Sequence, residues 1–426
     1  MATADVAVVG GGPAGAAAAI GLARQGRDVV LVDRATFPRD KACGDGLTTG
    51  ALRLLEGLGL DPAAVPSWQP VHDVIVRSPS GHEAVFPLPP TGGDYAVVAR
   101  RAELDAAVLD IARQAGVKVL DGHACTGAEE RPDRVVLLVD GIGQLNARYA
   151  VGADGMWSPL RKHLGAGTPG YLGEWHAFRQ YFADVGPRAA RQLFVWFEAD
   201  LLPGYAWSFP LPGGRANVGF GIQRDGGKFR RVQDMKELWP DLLARSHIAC
   251  VLGPDARPES PHKAWPIPAR IDEVVLATSR TLFVGDAAAA TDPMTGEGIG
   301  QALLTGILAA DAIRDGGLDA ATVRSLYEQR VAEALVADHR MSRLLIRALR
   351  HSRGARAAVR IAGASPWTRR SFARWLFEDY PRALITTPRR WHGGMFSGAG
   401  AYAGTESPRP SPRRSQPGNS PETNGS

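Results

Sequence analysis

The sequence predicts an α/β fold: a Rossmann-type dinucleotide-binding domain, a mixed or antiparallel β-sheet domain inserted into it, and a C-terminal helical segment. The first 35 residues have the pattern of a parallel βαβ unit: an apolar strand, a glycine-rich turn, an alanine-rich helix ending at Gly26, and a second apolar strand. Residues 71–86 and 192–222 have the character of antiparallel strands around the turns SPSG and PGG. Residues 340–363 repeat arginine and apolar positions at helical spacing.

The domain organisation follows from these patterns, since 426 residues are too many for one small domain. We predict a discontinuous dinucleotide-binding domain at 1–65, 96–165 and 276–316, a substrate-binding β-sheet domain at 66–95 and 166–275, a basic helical region at 317–403, and a disordered tail at 404–426. The tail is predicted to be disordered because it has almost no large apolar residues.

The composition favours a cytoplasmic protein. The three cysteines are far apart and form no C-x-x-C pair, so neither a disulfide framework nor a cysteine zinc site is expected. The histidines have no metal-binding spacing, and no metal site is predicted. No apolar stretch reaches the ~18–20 residues that span a bilayer.

The charge is concentrated near the C-terminal end. Between His339 and Trp391 there are thirteen arginines against Glu378 and Asp379, a net charge of +11, whereas the first 338 residues carry −7. No nucleic-acid recognition motif accompanies these arginines, so no nucleic-acid partner is predicted. A peripheral contact with the inner face of a membrane is expected instead. The alternative is a solvated helix that packs on the body of the protein.

A dinucleotide-binding turn is predicted at VVGGGPAG, where Gly10-x-Gly12-x-x-Gly15 follows a strand and precedes a helix. The first glycine of such a turn permits the tight bend, the second lets a pyrophosphate approach the backbone, and the third lets the helix pack on the strand. Eighteen residues after Gly15, Asp33 ends the second strand, where a carboxylate can accept the hydroxyls of an adenosine ribose. A glycine turn that binds nothing is the alternative.

Two later motifs identify the dinucleotide. YAVGADGMWSPLRKHLG contains Asp154-Gly155, and TLFVGDAAAATDPMTGEGIGQAL contains Gly285-Asp286, Pro293 and Gly296-x-Gly298. With these motifs in this order, the chain resembles the FAD-dependent oxidoreductases of the aromatic-hydroxylase and geranylgeranyl-reductase superfamily. The resemblance implies that Asp286 hydrogen-bonds the ribityl chain of FAD and that Arg101 lies near the FAD phosphates. It also implies that the helix after Gly296 directs its N–H groups at the pyrimidine edge of the flavin. The alternatives are an aspartate that caps a helix and a solvated arginine.

The predicted FAD-binding residues include one segment, around Cys43 and Gly44, that is also expected to contact the substrate. The full set is Gly10, Gly12, Pro13, Ala14, Gly15, Asp33, Arg34, Cys43, Gly44, Arg101, Asp154, Gly155, Gly285, Asp286, Pro293, Gly296, Gly298 and Ile299.

Two further segments narrow the resemblance to the geranylgeranyl reductase family, over about residues 4–315. FPRDKACGDGL is similar to that family's K-x-C-G segment, and LPGYAWSFPLPGGRANVGFGI is similar to its Y-x-W-x-F-P segment with a downstream V-G. The resemblance implies that Cys43 lies on the substrate side of the flavin, where its thiol donates a proton or shapes the pocket. The alternative is a small buried cysteine that only fills space.

An apolar cleft over the flavin is expected from the aromatic residues. Tyr205, Trp207 and Phe209 alternate and therefore share one face of a strand. With Trp196 and Phe220 on neighbouring strands, they are expected to line a cleft for a polyprenyl chain. An ordinary sheet core is the alternative for Trp196 and Phe220. The predicted catalytic residues are Cys43, Gly44, Tyr205 and Trp207.

The resemblance predicts an FAD-dependent reductase that hydrogenates isoprenoid C=C bonds of a lipid, either a geranylgeranyl chain or a polyprenyl-quinone tail. The alternatives are an FAD-dependent monooxygenase acting on an aromatic or polyketide substrate and a non-catalytic flavoprotein that relays electrons. The sequence has no second G-x-G-x-x-G after a strand. Electrons are therefore expected from transiently docked NAD(P)H, from a ferredoxin-type partner protein or from a quinol.

Overall fold

Strands from distant parts of the chain form three β-sheets in the described residues. The computed structural model describes residues 2–224, 232–377, 383, 387–388, 391 and 398–404. The strands are β1 (Ala2–Val9), β2 (Val29–Asp33), β3 (Gly46–Thr48), β4 (Gln69–Pro70), β5 (Asp73–Arg77), β6 (Glu83–Pro87), β7 (Ala96–Val98), β8 (Lys118–Asp121), β9 (Cys125–Glu130), β10 (Val135–Val139), β11 (Gly143–Gly152), β12 (Trp175–Ala183), β13 (Leu193–Trp196), β14 (Tyr205–Leu211), β15 (Arg215–Gln223), β16 (Arg257–Pro258), β17 (Lys263–Ile267) and β18 (Thr281–Phe283). The helices are α1 (Pro13–Arg24), α2 (Thr49–Gly57), α3 (Arg101–Gln114), α4 (Pro159–His163), α5 (Val232–Ala244), α6 (Ser246–Leu252), α7 (Ile299–Gly316), α8 (Ala320–Val331), α9 (Ala337–Leu349), α10 (Ser352–Gly363) and α11 (Pro366–Phe377).

The first sheet has the strand order β8-β2-β1-β11-β10-β9, and β18 pairs with the carboxyl end of β11. The strands β8, β2, β1, β11 and β18 are parallel, whereas β10 and β9 extend the sheet antiparallel. All five residues of β2 are buried, as expected for a parallel strand covered on both faces. The predicted Rossmann-type unit, β1-α1-β2, is confirmed.

The turn between β1 and α1 requires glycine. Gly10 has a φ of +109°, and a Cβ on it would lie 2.2 Å from the carbonyl oxygen of Ala153. A Cβ on Gly15 would lie 1.8 Å from the carbonyl oxygen of Gly10. Only glycine fits these positions, which hold the start of α1 directly against the carboxyl ends of β1 and β11.

The second sheet has the order β16-β12-β15-β14-β13-β5-β6, with β17 also paired to β12. Its neighbours are antiparallel except for β13 and β5, so the predicted mixed sheet is confirmed. Helices α5 and α6 cover one face.

Trp196 and Phe220 lie on that helix-covered face, where both are fully buried. The expectation that they line the cleft is wrong. The register explains this, because Ala206 is the direct partner of both residues and therefore points to the same face. Trp207, the next residue along β14, points to the opposite face.

The C-terminal helical segment is also confirmed. Helix α8 packs on α7 and continues through a π-helical turn, Ala332–Val336, into α9. Helices α10 and α11 pack on β6, where Val359 and Ala373 share an apolar core with Phe86. No helix among the described residues is both long enough and apolar enough to cross a bilayer. Apart from Gly404, the predicted disordered tail lies outside the described residues.

Gly219 leaves the space that the Trp207 ring occupies. The two residues are direct partners on β15 and β14. A Cβ on Gly219 would lie 2.4 Å from Cζ2 of Trp207 and 2.4 Å from the carbonyl oxygen of Phe178. The glycine downstream of the Y-x-W-x-F-P segment is therefore a packing requirement of the tryptophan within it.

Replacing Gly219 by alanine is expected to lower the free energy of unfolding by about 1–3 kcal/mol, the usual cost of overpacking a core. The added methyl group would overlap both a backbone oxygen and an indole ring. Urea unfolding followed by circular dichroism measures the loss. The control is Gly221→Ala on the same strand, where a Cβ meets only the carbonyl oxygen of His176 at 3.9 Å. Equal losses in the two variants would contradict the explanation.

Candidate active site

A cavity of about 1120 Å³ runs from the β1–α1 turn, past α3, to the inner faces of α9, α10 and α11. Gly15 is the one predicted site residue that does not line it, because it lies in the packing contact with Gly10. The predicted residues that line the cavity are Gly10, Gly12, Pro13, Ala14, Asp33, Arg34, Cys43, Gly44, Arg101, Asp154, Gly155, Tyr205, Trp207, Gly285, Asp286, Pro293, Gly296, Gly298 and Ile299.

One end of the cavity fits a dinucleotide. Helix α1 follows Gly12 and has no side-chain cap, so its first N–H groups are available to phosphate oxygens. A Cβ on Gly12 would meet only the guanidinium of Arg39, at 3.4 Å, so the backbone is open to close approach. Asp33 accepts the N–H groups of Gly11 at 2.7 Å and Ala35 at 2.8 Å. Its remaining lone pairs can accept ribose hydroxyls.

Arg39 is a cation at this end that the sequence analysis did not single out. Its guanidinium lies 3.3 Å from the carboxylate of Asp105, 4.0 Å from that of Asp33, and over the ring of Phe37. The FPRDK segment contains the arginine, but only the folded loop brings it to the glycine-rich turn. Its charge suits a pyrophosphate.

Asp286 follows β18 and is held in its ionised form. Nζ of Lys41 lies 2.8 Å from its carboxylate. Burial opposes ionisation, but the charges of Lys41 and Arg101 and the hydrogen bonds from Lys41 and Thr291 together hold the pKa of Asp286 below its ordinary value. An ionised carboxylate in the cavity is a strong acceptor for hydroxyl groups.

Asp154 lines the cavity, and its carboxylate stabilises the start of α4. Its two carboxylate oxygens accept the hydroxyl of Ser158 at 2.6 Å and the N–H of Leu160 at 2.9 Å. Burial raises its pKa, opposed by these hydrogen bonds. The side chain therefore fastens the start of α4 beside the dinucleotide end.

The start of α7 borders the cavity through Gly298 and Ile299. Gly298 provides no side-chain cap; Oε1 of Glu297 accepts the N–H of Gly300 at 2.7 Å. The hydroxyl of Tyr205 donates to the carbonyl oxygen of Thr295, which ties β14 to this turn. The positive end of the α7 dipole therefore adjoins the cavity, and the carboxylate of Glu297 already satisfies one of its N–H groups.

Cys43 lies between a guanidinium and a carboxylate. Its Sγ accepts the N–H of Asp45 at 3.3 Å. Arg101 of α3 is held by two hydrogen bonds of 2.7 Å to Asp105, and its positive charge interacts with the thiol. Burial raises the pKa of the Cys43 thiol; the positive charge of Arg101 opposes this, and the negative charge of Asp45 adds to it. The thiol is therefore neutral at pH 7 and carries a proton that it can transfer.

The aromatic side chains of β14 form the wall on which the Cys43 loop packs. The ring centroids of Tyr205 and Trp207 are 6.1 Å apart, and those of Trp207 and Phe209 are 6.0 Å apart. A Cβ on Gly44 would lie 3.2 Å from the Phe209 ring and 3.8 Å from the Trp207 ring. The structure thus brings the four predicted catalytic residues together; their catalytic roles remain predictions.

Comparisons with known proteins agree with this geometry. The FAD binding domain family matches residues 3–304. A menaquinone reductase of Mycolicibacterium smegmatis is 35% identical over 341 residues, 74% of this chain and 77% of that protein. A digeranylgeranylglycerophospholipid reductase of Methanosarcina mazei is 28% identical over 354 residues, 79% of this chain and 83% of that protein. The chain belongs to the geranylgeranyl reductase family of FAD-dependent oxidoreductases.

The fold agrees with the family. The crystal structure of a geranylgeranyl bacteriochlorophyll reductase-like protein from Thermoplasma acidophilum has a TM-score of 0.75 at 21% identity, over 90% of this chain and 98% of that one. The match to the FAD binding domain family and the relatives named as reductases confirm the predicted cofactor, FAD, and the predicted enzyme class. In the described residues, no group of three or more His, Cys, Asp or Glu side chains is arranged to hold a metal ion.

The sequence analysis expected an apolar cleft, but it missed that the C-terminal helices of this geranylgeranyl reductase-family chain line one end of it. The C-terminal helices line it with Leu345 and Leu349 of α9, Val359 of α10, and Phe372 and Trp375 of α11. Their apolar residues recur at helical spacing opposite the arginines, which was a usable signal. Helical periodicity does not show whether such a face meets a packed core or a cavity. A buried polar cluster around Asp45 was missed too, because an aspartate is rarely buried.

Replacing Asp286 by alanine is expected to weaken FAD binding by about 10- to 100-fold, since hydrogen bonds to charged groups contribute about 1.5–3 kcal/mol. The measurement is a titration of the apoprotein with FAD, followed by flavin fluorescence. Asp311→Ala is the control, because that carboxylate pairs with Arg314 on the exposed side of α7. Wild-type affinity in the Asp286 variant would remove this residue from the FAD site.

Proposed function

We propose that this enzyme saturates isoprenoid C=C bonds of a lipid, with a polyprenyl-quinone tail as the first candidate substrate and a geranylgeranyl chain as the second. The observation that carries the proposal is the continuity of the cavity. It joins the dinucleotide end, the Cys43 thiol and an apolar end under α9, α10 and α11. The relatives named as reductases of menaquinone and of digeranylgeranylglycerophospholipid support a long isoprenoid substrate.

Several residues are suited to hold FAD. The N–H groups of α1 and the guanidinium of Arg39 would meet the pyrophosphate, Asp33 would meet the ribose, and Asp286 would meet the ribityl hydroxyls. The α7 N-terminus would meet the pyrimidine edge. When bound and reduced, the cofactor supplies a hydride, which is a proton with two electrons.

Reduction of a C=C bond requires the hydride on one carbon and a proton on the other. The Cys43 thiol is neutral, so its S–H bond can break as a new C–H bond forms on the second carbon. The electron pair of the S–H bond stays on sulfur, and the resulting thiolate is stabilised by the positive charge of Arg101. A proton from water then restores the thiol.

The apolar end would hold the chain in position. Transfer of an isoprenoid from water contributes about 4 kcal/mol per five-carbon unit, at ~0.8 kcal/mol per carbon. Trp207 and Phe209 would exclude water from the double bond beside Cys43, while the distal units would lie between Phe372, Trp375 and the sheet. Affinity would then depend mainly on apolar burial, and selection of the reacting bond on the position of the thiol.

Electrons would come from outside the domain. The glycine-rich turn after β1 is assigned to FAD, and the sequence contains no second G-x-G-x-x-G turn after a strand. NAD(P)H that docks transiently or a ferredoxin-type protein would therefore reduce the cofactor.

If the enzyme is a reductase, we expect it to convert menaquinones of defined tail length when it has been reduced anaerobically. The products should gain two hydrogens per reduced bond. Mass spectrometry identifies the product, and a parallel incubation with geranylgeranyl lipids separates the two substrate classes. Cys43→Ser should retain FAD and lower turnover by about 100-fold or more, the usual contribution of a general acid. A product that gains one oxygen, and only in air, would instead support the monooxygenase.

We further infer a peripheral contact with an anionic membrane at its cytoplasmic surface, through a region called here the basic face. The basic face consists of the arginines Arg347, Arg353, Arg356 and Arg360 and the exposed apolar residues Leu344, Ile361 and Trp367. These arginines have no carboxylate partner among the described residues, whereas Arg343 pairs with Glu273. Ile361 is 69% exposed and Trp367 76% exposed, which suits insertion between lipid headgroups.

The basic face also offers a route for the substrate. Helix α10 carries Arg356 and Arg360 on its outer side, while Ala355 and Val359 on its inner side line the cavity. A lipid would therefore pass from the membrane into the cavity across a single layer of helices.

The FAD-loaded enzyme is expected to co-sediment with phosphatidylglycerol vesicles at low salt and to dissociate as salt rises. Reversing two charges, Arg356→Glu with Arg360→Glu, should weaken binding by about tenfold or more, because each basic residue near an anionic surface contributes ~1 kcal/mol. The same reversal at Arg131 and Arg134 on the β9–β10 hairpin is the control for net charge. Equal effects of the two double variants would rule out the basic face as the contact.

A further inference from the structure

A buried polar cluster lies behind the Cys43 loop. The carboxylate of Asp45 accepts the hydroxyl of Tyr181 at 2.6 Å and the side-chain amide of Asn217 at 2.8 Å. Asp45 is fully buried and has a φ of +65°, in the left-handed region that few residues other than glycine occupy. Its second carboxylate oxygen has no hydrogen-bond partner among the described residues. A buried carboxylate that is only half satisfied is costly, which points to a functional reason for its presence.

Two hydrogen bonds of the cluster hold Cys43, and a third joins the cluster to Trp207. The N–H of Asp45 donates to Sγ of Cys43 at 3.3 Å. The amide of Asn217 that binds Asp45 also donates to the carbonyl oxygen of Cys43 at 2.8 Å. The oxygen of the same Asn217 side chain accepts Nε1–H of Trp207 at 3.2 Å. The thiol, the carboxylate and the tryptophan are therefore fixed relative to one another.

The charges around the thiol oppose one another. Arg101, on α3 and paired with Asp105, draws Cys43 toward the thiolate, and the negative charge of Asp45 draws it back toward the thiol. Asp45 itself faces Tyr181 and the guanidinium of Arg179 on β12, and Arg101 on α3. Burial raises the pKa of Asp45 to about 6, even though Tyr181, Arg179, Asn217 and Arg101 favour its ionised form. Asp45 therefore carries its charge above about pH 6, where this charge adds to burial in opposing the effect of Arg101 on the thiol.

We propose that Asp45 is a positioning residue that keeps the Cys43 side chain in its neutral thiol form beside Trp207. The proposal rests on the proposed function in one respect: that the proton of Cys43 is transferred to the carbon that does not receive the hydride. The protonation state of Cys43 is itself independent of any substrate, so it can be measured without one.

The test is the pH dependence of Cys43 alkylation in FAD-loaded enzyme. Iodoacetamide reacts with the thiolate, and mass spectrometry of the Cys43 peptide gives the rate for that residue alone. In Asp45→Asn, which keeps the shape and removes the charge, the midpoint is expected to fall by about one pH unit or more. The alkaline limb of the kcat profile should fall by the same amount, because the donor is then lost at lower pH.

Two further variants make the result decisive. Asp184→Asn is the matched control, since Asp184 also has a positive φ, of 54°, but is exposed and pairs with Arg257. If Asp45→Asn fails to fold, Tyr181→Phe replaces it. Losing that hydrogen bond raises the pKa of Asp45, so more of it is neutral and Cys43 should be alkylated faster between pH 6 and 8.

The outcomes test the role of Asp45 separately from the proposed function. A midpoint that does not fall in Asp45→Asn, or an equal fall in Asp184→Asn, overturns the role of Asp45. A Tyr181→Phe alkylation rate equal to that of wild type overturns it as well. A lowered midpoint in an enzyme that reduces no isoprenoid supports the role of Asp45 and rejects the proposed function.

Discussion

The packing of α7 on α1 is the contact on which the candidate active site depends. A Cβ on Gly306 of α7 would lie 2.2 Å from the carbonyl oxygen of Ala14, so the two helix backbones touch. This contact holds the start of α7 next to the start of α1, although the two lie almost three hundred residues apart in the chain. Two helix N-termini are thereby directed at one cavity. In the proposed function, the N-terminus of α1 would face the pyrophosphate and that of α7 the reduced flavin, each of which needs positive potential.

The second sheet contributes through the opposite characters of its two faces. On one face, Trp196 and Phe220 build a closed core with α5 and α6. On the other face, Trp207 lies over Gly219 and leaves an open wall toward the cavity. Asn217 has a polar side chain on this wall and joins it to the Cys43 loop by hydrogen bonds. Rigid strands thus determine where the thiol lies, which a loop alone would not do.

How much could be predicted depended on how local the signal was. The β1-α1-β2 unit and Asp33 lie within 35 residues. There the hydrophobic periodicity, the glycine-rich turn and the acidic residue at the end of the second strand all support the same prediction. Alternation on β14 was enough to put Tyr205, Trp207 and Phe209 on one face, but only the packing of α5 and α6 shows that Trp196 and Phe220 lie on the other face of the sheet. The pairing of Lys41 with Asp286 joins segments about 245 residues apart and leaves no trace in either one. Asp45 was overlooked for the same reason, since its hydrogen-bond partners on β12 and β15 lie 136 and 172 residues away in sequence.

The C-terminal helices present an apolar surface to the cavity and a charged surface to the solvent. A cavity for an isoprenoid must be apolar, yet a protein that exposes such a surface to water would aggregate. Helix α10 meets both demands with small residues, since Ala355, Val359 and Ala362 face inward. Its outer side is kept in water by arginines, whose long stems can also lie along an apolar surface. Of the exposed apolar residues around it, Trp367 has an N–H that suits the boundary between headgroups and acyl chains better than a purely aliphatic side chain would. The same helix therefore closes the cavity toward the sheet and remains compatible with a bilayer on its other side.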